Sequence, residues 1–257
     1  STRRLSRELE FPQSTVWKIL HFPLHKHAYH VQFLHHLEAE DCVARKAMCY
    51  DLVQAAESQN LMENILLNHE SKFHICGFVY KNNCRIWADE QPNATYEWTR
   101  DSPKVNVWLG LTQTRIYGPF MFQKPTITGT SFLDMLQMSL VPQLQQDVYQ
   151  QDRALPHFAN VVLDFLNETF PGIWIGRGSQ RMWAPSSPDL TSLEFFAWGY
   201  IKSLVYRTKV RDLANLTNRI REAVDSITPG KFAKVFRYAS ERWQLCFEME
   251  GGHVELR

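Results

Sequence analysis

From residue 64 the chain changes texture, and that change constrains the fold more than any other feature. Residues 64–75, 77–87, 104–112 and 115–122 alternate or run apolar and β-branched, with turn residues between them. Strand-like and helix-like stretches then interleave. Residues 128–146 read as a helix, 148–151 as a short strand ending at Asp152, 158–170 as a helix, 173–175 as a short strand, and 193–208 and 210–227 as helices. Antiparallel strands followed by alternation predict an α/β fold with helices covering a mixed sheet. Trp87, Trp108, Trp174, Trp183 and Trp198 sit in apolar surroundings and read as core rather than as base-stacking groups.

The preceding 63 residues are of another kind. Residues 1–20, STRRLSRELEFPQSTVWKIL, read as two short helices around a tight turn. Leu5 and Leu9 share one helical face, Val16, Ile19 and Leu20 another, and Phe11-Pro12 breaks the pattern between them. Ser14 is placed to cap the second helix. This is the outline of a helix-turn-helix, with Arg3, Arg4, Arg7, Ser14, Thr15 and Lys18 as candidate DNA contacts; a plain helical hairpin with a basic face fits the same residues. Residues 21–36 carry Pro23 and six histidines, His21, His25, His27, His30, His35 and His36, without a cysteine or carboxylate at ligand spacing. Residues 37–62 read as helix. The organisation expected is 1–22 helix-turn-helix, 23–63 linker and helix, and 64–257 α/β domain with a helical C-terminal part.

Composition excludes little. Twenty-eight basic against 27 acidic residues leave a net charge of +1, so any nucleic-acid surface must come from local clustering. In the C-terminal part Arg207, Lys209, Arg211, Arg219 and Arg221, then Lys231, Lys234, Arg237 and Arg242, fit a DNA-following face or a solvated surface equally. Five cysteines (Cys42, Cys49, Cys76, Cys84, Cys246) without a CxxC pair read as free thiols in a reducing compartment rather than a zinc site. No apolar run reaches membrane-spanning length and no signal peptide opens the chain, so the sequon at Asn93 is expected to stay unused. Ser1 in place of Met implies a segment removed upstream.

Two stretches attract chemistry. In VYQQDRALPHF, Asp152 closes a short apolar strand; in WAPSSPDLTSLEFFAWG, Glu194 opens a helix after a proline-rich loop. Groups at strand ends face solvent on a rigid base. Two carboxylates meeting there hold Mg2+ or Mn2+, which prefer oxygen ligands. Taken singly, Glu194 also fits a helix-capping role and Asp152 a turn.

The run YQQDRALPHFANVVLDFLNETFPGIWIGRG followed by SPDLTSLEFFAWGYIKSLVYRTKVRDL closely resembles the catalytic core of mariner-type transposases, especially arthropod-like lineages, which usually read QQDGAPPHF and SPDLTPLDFF. Forty-one residues (153 to 193) separate the two acids, a spacing found in one branch of that family. The likeness extends to FHICGFVYKNNCRIW, to VNVWLGLTQTRIYGPFMF and to the opening STRRLSREL and PQSTVWKIL, and so covers nearly the whole chain. It implies an RNase H-like mixed five-stranded sheet with flanking helices, preceded by a small all-helical helix-turn-helix segment. It implies cut-and-paste DNA transposition and integration, with three acids holding two Mg2+ or Mn2+ ions that activate and clamp the reacting oxygens. It also implies double-stranded DNA (transposon ends) as partner, a homodimer, no membrane association and a nuclear location. Carried over by motif, Asp152 is the second acid and Glu194 the third.

The first acid is missing. Where the family reads LFSDEATFHISG this chain reads LLNHESKFHICG, which puts His69 at the position of Asp. An imidazole brings no negative charge, and nitrogen is a poor partner for magnesium. Losing that charge beside two divalent ions is worth several kcal/mol, a rate factor in the thousands. Glu70 is expected to face away from Asp152, because neighbours on a strand point to opposite faces. Arg153 replaces a small Gly, Leu155 a Pro, and Ala184-Pro185-Ser186-Ser187 has lost a basic residue. The likeness begins at the family's second helix-turn-helix, so the chain reads as N-terminally truncated, with weakened recognition of transposon ends. The resemblance therefore implies a DNA-binding transposase relic whose strand cleavage and transfer are lost or crippled. The alternatives are a host-recruited DNA-binding or interaction protein without catalysis, and a weakly active Mn-dependent transposase.

Overall fold

The computed structural model describes residues 2–26, 36–77, 102–144 and 147–254. Most of the strand expected over 77–87, with Cys84 and Trp87, lies outside them, as do Asn93 and His27, His30 and His35. Two compact units divide the chain: Ser1–Leu34 with Phe78–Arg100, and His35–Gly77 with Asp101–Arg257.

In the first unit, α1 (Thr2–Glu8) and α2 (Gln13–His21) flank a turn through Glu10, whose φ is 57°. The Ser6 hydroxyl closes the turn on the Phe11 carbonyl at 2.6 Å. Ser14 does not cap α2. The helix starts earlier, at Gln13 after Pro12, whose carbonyl accepts from Thr15 and Val16, so Ser14 lies inside the first turn. Proline presets the backbone at such a start, and no side chain caps the helix. Val16 is buried, Ile19 and Lys18 are exposed, and Trp17 stacks on His21 at 4.9 Å. The side chains of Arg3, Arg4 and Arg7 lie outside the description.

In the second unit, α3 (Ala39–Ser58) and α4 (Leu61–Asn64) lead into the sheet. Sequence placed them with the linker, but Met48, Cys49, Leu52 and Ala55 form a buried stripe at helical spacing and join the main core. Strands β1 (Ile65–His74), β2 (Lys104–Leu111), β3 (Ile116–Phe122) and β4 (Val148–Tyr149) order as β3-β2-β1-β4. The first three pair antiparallel and β4 lies parallel to β1. Both faces of the central strands are covered. Leu67, Phe73, Val107 and Leu109 enter one core, Leu66 and Trp108 the other. Trp108, Trp174, Trp183 and Trp198 are all at most 2% exposed, as a core role requires.

Among the described residues the sheet has four strands rather than five. The stretch expected at 173–175 contributes only single bridges, from Ile175 to Gln150 and to Arg181. It lies between Gly172 and Gly178, both at positive φ, and that backbone cannot extend the ladder. Behind β3, α5 (Gly129–Met135) runs into a π-helical turn, and α6 (Asn160–Thr169) packs beside it on the Trp108 face. A π-helical turn (Leu193–Ala197) feeds α7 (Trp198–Val205), and α8 (Leu213–Asp225) and α9 (Pro229–Glu248) complete the other layer with α3. No helix among the described residues is long and apolar enough to cross a membrane.

Candidate active site

Asp152 owes its place to the way β4 ends. Gln150 N–H donates to Leu66 O at 3.1 Å, Gln151 N–H to Ile175 O at 2.9 Å, and the Gln151 side chain to His157 O at 3.0 Å. Asn68, held by the Trp108 indole at 3.0 Å, donates to the Gln150 carbonyl. Gly176 packs here because a Cβ would lie 2.8 Å from Trp174 and 2.9 Å from Gln151. Three residues past the end of β4, Asp152 Oδ1 accepts from Ala154 N–H at 2.9 Å.

Period-two geometry sends His69 and Glu70 of β1 to opposite faces of the sheet. His69 points toward the α7 layer, where Nε2 lies 3.2 Å from Asp152 Oδ2 and Nδ1 lies 3.1 Å from Glu194 Oε1. All three expected residues thus meet in one cleft of about 410 Å³. Glu70 points the other way, yet is not isolated from Asp152. Its carboxylate accepts from His157 Nε2 at 3.1 Å, and His157 Nδ1 lies 2.6 Å from Asp152 Oδ1. The result is an unbroken row: Glu194, His69, Asp152, His157, Glu70. Carboxylates and imidazoles alternate along it, and it passes from one face of the sheet to the other at the tip of β4. The His69 Nδ1 meets Glu194 without the alignment of a hydrogen bond, so that contact acts through charge.

Charge sets the protonation of the row. Burial alone would push the His69 imidazole down, but contact with Asp152 and the charges of Glu194 and Glu70 raise it to about 9. Burial is likewise outweighed at His157, where Glu70 and Asp152 raise it to about 10. Asp152, although buried, is held far below the usual carboxylate range by the two imidazoles. Both histidines are therefore cations at neutral pH.

Glu194 is fixed by a different device. Its N–H donates to Thr191 O at 2.9 Å at the head of the π-helical turn. The loop before it is fastened by Arg45 of α3, which is fully buried. The Arg45 guanidinium pairs in bidentate fashion with Asp189 at 2.8 and 2.7 Å, and also donates to Ser186 O, Ser187 Oγ, Gly251 O and Gly252 O. Val254 N–H adds a bond to Asp189 at 3.0 Å. Burial would raise the Asp189 carboxyl, but Arg45 holds it low. Sequence reasoning missed Arg45, Asp189 and His157 as positioning groups. The only visible signals were an arginine inside an apolar helical stripe and a histidine one turn after Asp152.

Two of the basic residues offered for DNA are structural. Arg219 donates to the carbonyls of Val205, Thr208 and Lys209, which closes the end of α7, and Arg242 donates to Asp189 O and Val254 O from the buried side. Carbonyls left over at a helix end attract such donors.

A divalent ion does not fit this arrangement. The His69 imidazole stands between the two acids that would coordinate, 3.2 Å from Asp152 and 3.1 Å from Glu194, and takes the place an ion would need. Among the described residues, no three His, Cys, Asp or Glu side chains are arranged to hold a metal ion.

A curled mixed sheet with helices on both faces, with acids gathered at a strand tip, is a fold shared with solved transposase structures. The particular likeness is to the mariner transposase Mos1. A Mos1 strand transfer complex superposes with TM-score 0.73 at 17% identity over 99% of this chain and 74% of that one. A Mos1 paired-end complex with Mg gives 0.71 at 18%, over 99% and 75%. The isolated Mos1 catalytic domain gives 0.67 at 15%, over 87% of this chain and all of that one. No family model matches the chain, and no curated protein does. At these identities the likeness establishes a mariner-type transposase fold.

Proposed function

We propose that the chain is a mariner-type transposase relic: a DNA-binding protein of the cut-and-paste transposition and integration class that no longer cuts or joins strands. The carrying observation is His69, wedged as a cation between Asp152 and Glu194 at 3.2 and 3.1 Å. Two-metal phosphoryl chemistry needs carboxylates free to gather divalent ions, and here a fixed internal cation takes their charge. The solved neighbours include strand transfer and paired-end complexes, which supports double-stranded DNA as the partner of this chain. In this reading α1 and α2 form a helix-turn-helix contacting DNA through Arg3, Arg4, Arg7, Ser14, Thr15 and Lys18, the working form is a homodimer, and the location is nuclear. The placement of His69 disfavours the Mn-dependent alternative, because both ring nitrogens already face the carboxylates that would share an ion with it.

The test is strand cleavage of a duplex substrate in Mg2+ and in Mn2+, with His69→Asp beside the unmodified chain. The unmodified protein is expected to give no product above background in either metal. Cleavage by the unmodified protein as fast as by the variant would overturn the proposal.

A further inference from the structure

The cleft keeps one charged group that the row of alternating acids and imidazoles does not absorb. Asp152 is satisfied on both oxygens, by His69 on one side and by His157 and the Ala154 N–H on the other, and Glu194 faces His69. Arg153, the next residue along the chain, lines the same cleft beside them. It is half-buried, and among the described residues it has no hydrogen bond, ion pair or ring partner. It also lines a neighbouring groove of about 680 Å³ bounded by α3 and the 172–185 segment, so it stands where the two openings adjoin. A guanidinium partly withdrawn from water without an acceptor is costly, and its planar fork matches a pair of phosphate oxygens. With both acids already facing imidazoles, Arg153 is the charged group of this cleft left open to an approaching anion.

We propose that the cleft seats a phosphodiester of the DNA backbone directly on Arg153, without a divalent metal, so that holding DNA at this centre has been separated from cutting it. This rests on the DNA-binding reading above and adds the ligand group, the residue and the independence from metal.

The experiment measures fluorescence anisotropy of a labelled 20–30-base-pair duplex with the full chain, across a salt series, in EDTA and in Mg2+. The unmodified chain is expected to bind equally, within about twofold, in both conditions. Arg153→Ala is expected to bind three- to tenfold more weakly in EDTA, with a salt slope shallower by about 0.9, the signature of one lost phosphate contact. Arg153→Lys should recover the slope but only part of the affinity, because an ammonium keeps the charge without the fork. Circular dichroism of each variant controls for folding. An Arg153→Ala variant with unchanged affinity and slope would overturn this inference alone, as would binding by the unmodified chain that needs added Mg2+. Failure of the unmodified chain to hold duplex at low salt would overturn the functional reading together with it.

Discussion

Replacing His69 by asparagine removes the cation between Asp152 and Glu194 while keeping a polar side chain of similar reach. Raising the imidazole from 6.5 to about 9 corresponds to about 3 kcal/mol of folding free energy, at about 1.4 kcal/mol for each tenfold change. The side chain is only 19% exposed, so solvent screening removes little of this. The sign follows from linkage. A group held above its unfolded value stabilises fully below pH 6.5 and loses that contribution as pH climbs through 9. His69→Asn should therefore be about 3 kcal/mol less stable than the unmodified protein at pH 7, a melting shift of roughly 6–12 °C for a unit of this size. By pH 10 the gap should close to under about 1 kcal/mol, because the unmodified protein has by then lost the same charge. His157, raised to about 10, adds a loss of its own at high pH, but both proteins share it and it cancels in the difference. Urea unfolding at pH 7 and pH 10 measures both gaps. A gap of the same size at the two pH values, or none at pH 7, would refute the assignment of a buried cation at His69.

Three further outcomes follow from the packing. Arg45→Ala leaves Asp189 buried without its partner and should cost about 3–5 kcal/mol by chemical denaturation; a loss under 1 kcal/mol would mean that the pair is dispensable. Gly176→Ala forces a methyl group into Trp174 and Gln151 and should cost about 1–3 kcal/mol, accompanied by a changed near-ultraviolet tryptophan signal; an unperturbed signal would argue against that contact. Asp212→Ala removes the side chain that accepts from Asn215 N–H at 2.7 Å at the start of α8, and thermal melting should show a loss of about 0.5–2 kcal/mol.

Much of the sheet was legible because its signals are local. Strands β1 to β3 fall where β-branched and apolar alternation placed them, and Trp108, Trp174, Trp183 and Trp198 are core as their neighbours implied. The meeting of His69, Asp152 and Glu194 came from motif resemblance rather than from periodicity, since nothing local says that residues 69 and 152 touch. Where reading failed, the deciding partner was distant. Arg45 reads as an ordinary basic residue until Asp189, 144 positions later, is brought to it. Arg219 and Arg242 read as surface charge because the carbonyls they satisfy exist as acceptors only once helix ends and turns have formed. Glu70 was assigned the correct face, but its link to Asp152 runs through His157, which a two-residue rule cannot foresee. Ser14 lost its expected role because α2 starts earlier, at Gln13.

The Arg45 staple also bears on the order in which the chain can mature. Its acceptors are drawn from Ser186 to Asp189 and from Gly251 and Gly252, with Val254 closing on Asp189. A chain that has emerged only through Glu194 has the Asp189 pair but still lacks the Gly251 and Gly252 carbonyls and the Val254 N–H. The full set of bonds around Arg45 and Asp189 therefore closes only when the segment beyond α9 is present. Setting Glu194 in its cleft thus draws on residues 57 to 60 positions further along the chain, since Arg45 and Asp189 tie its loop to Gly251, Gly252 and Val254.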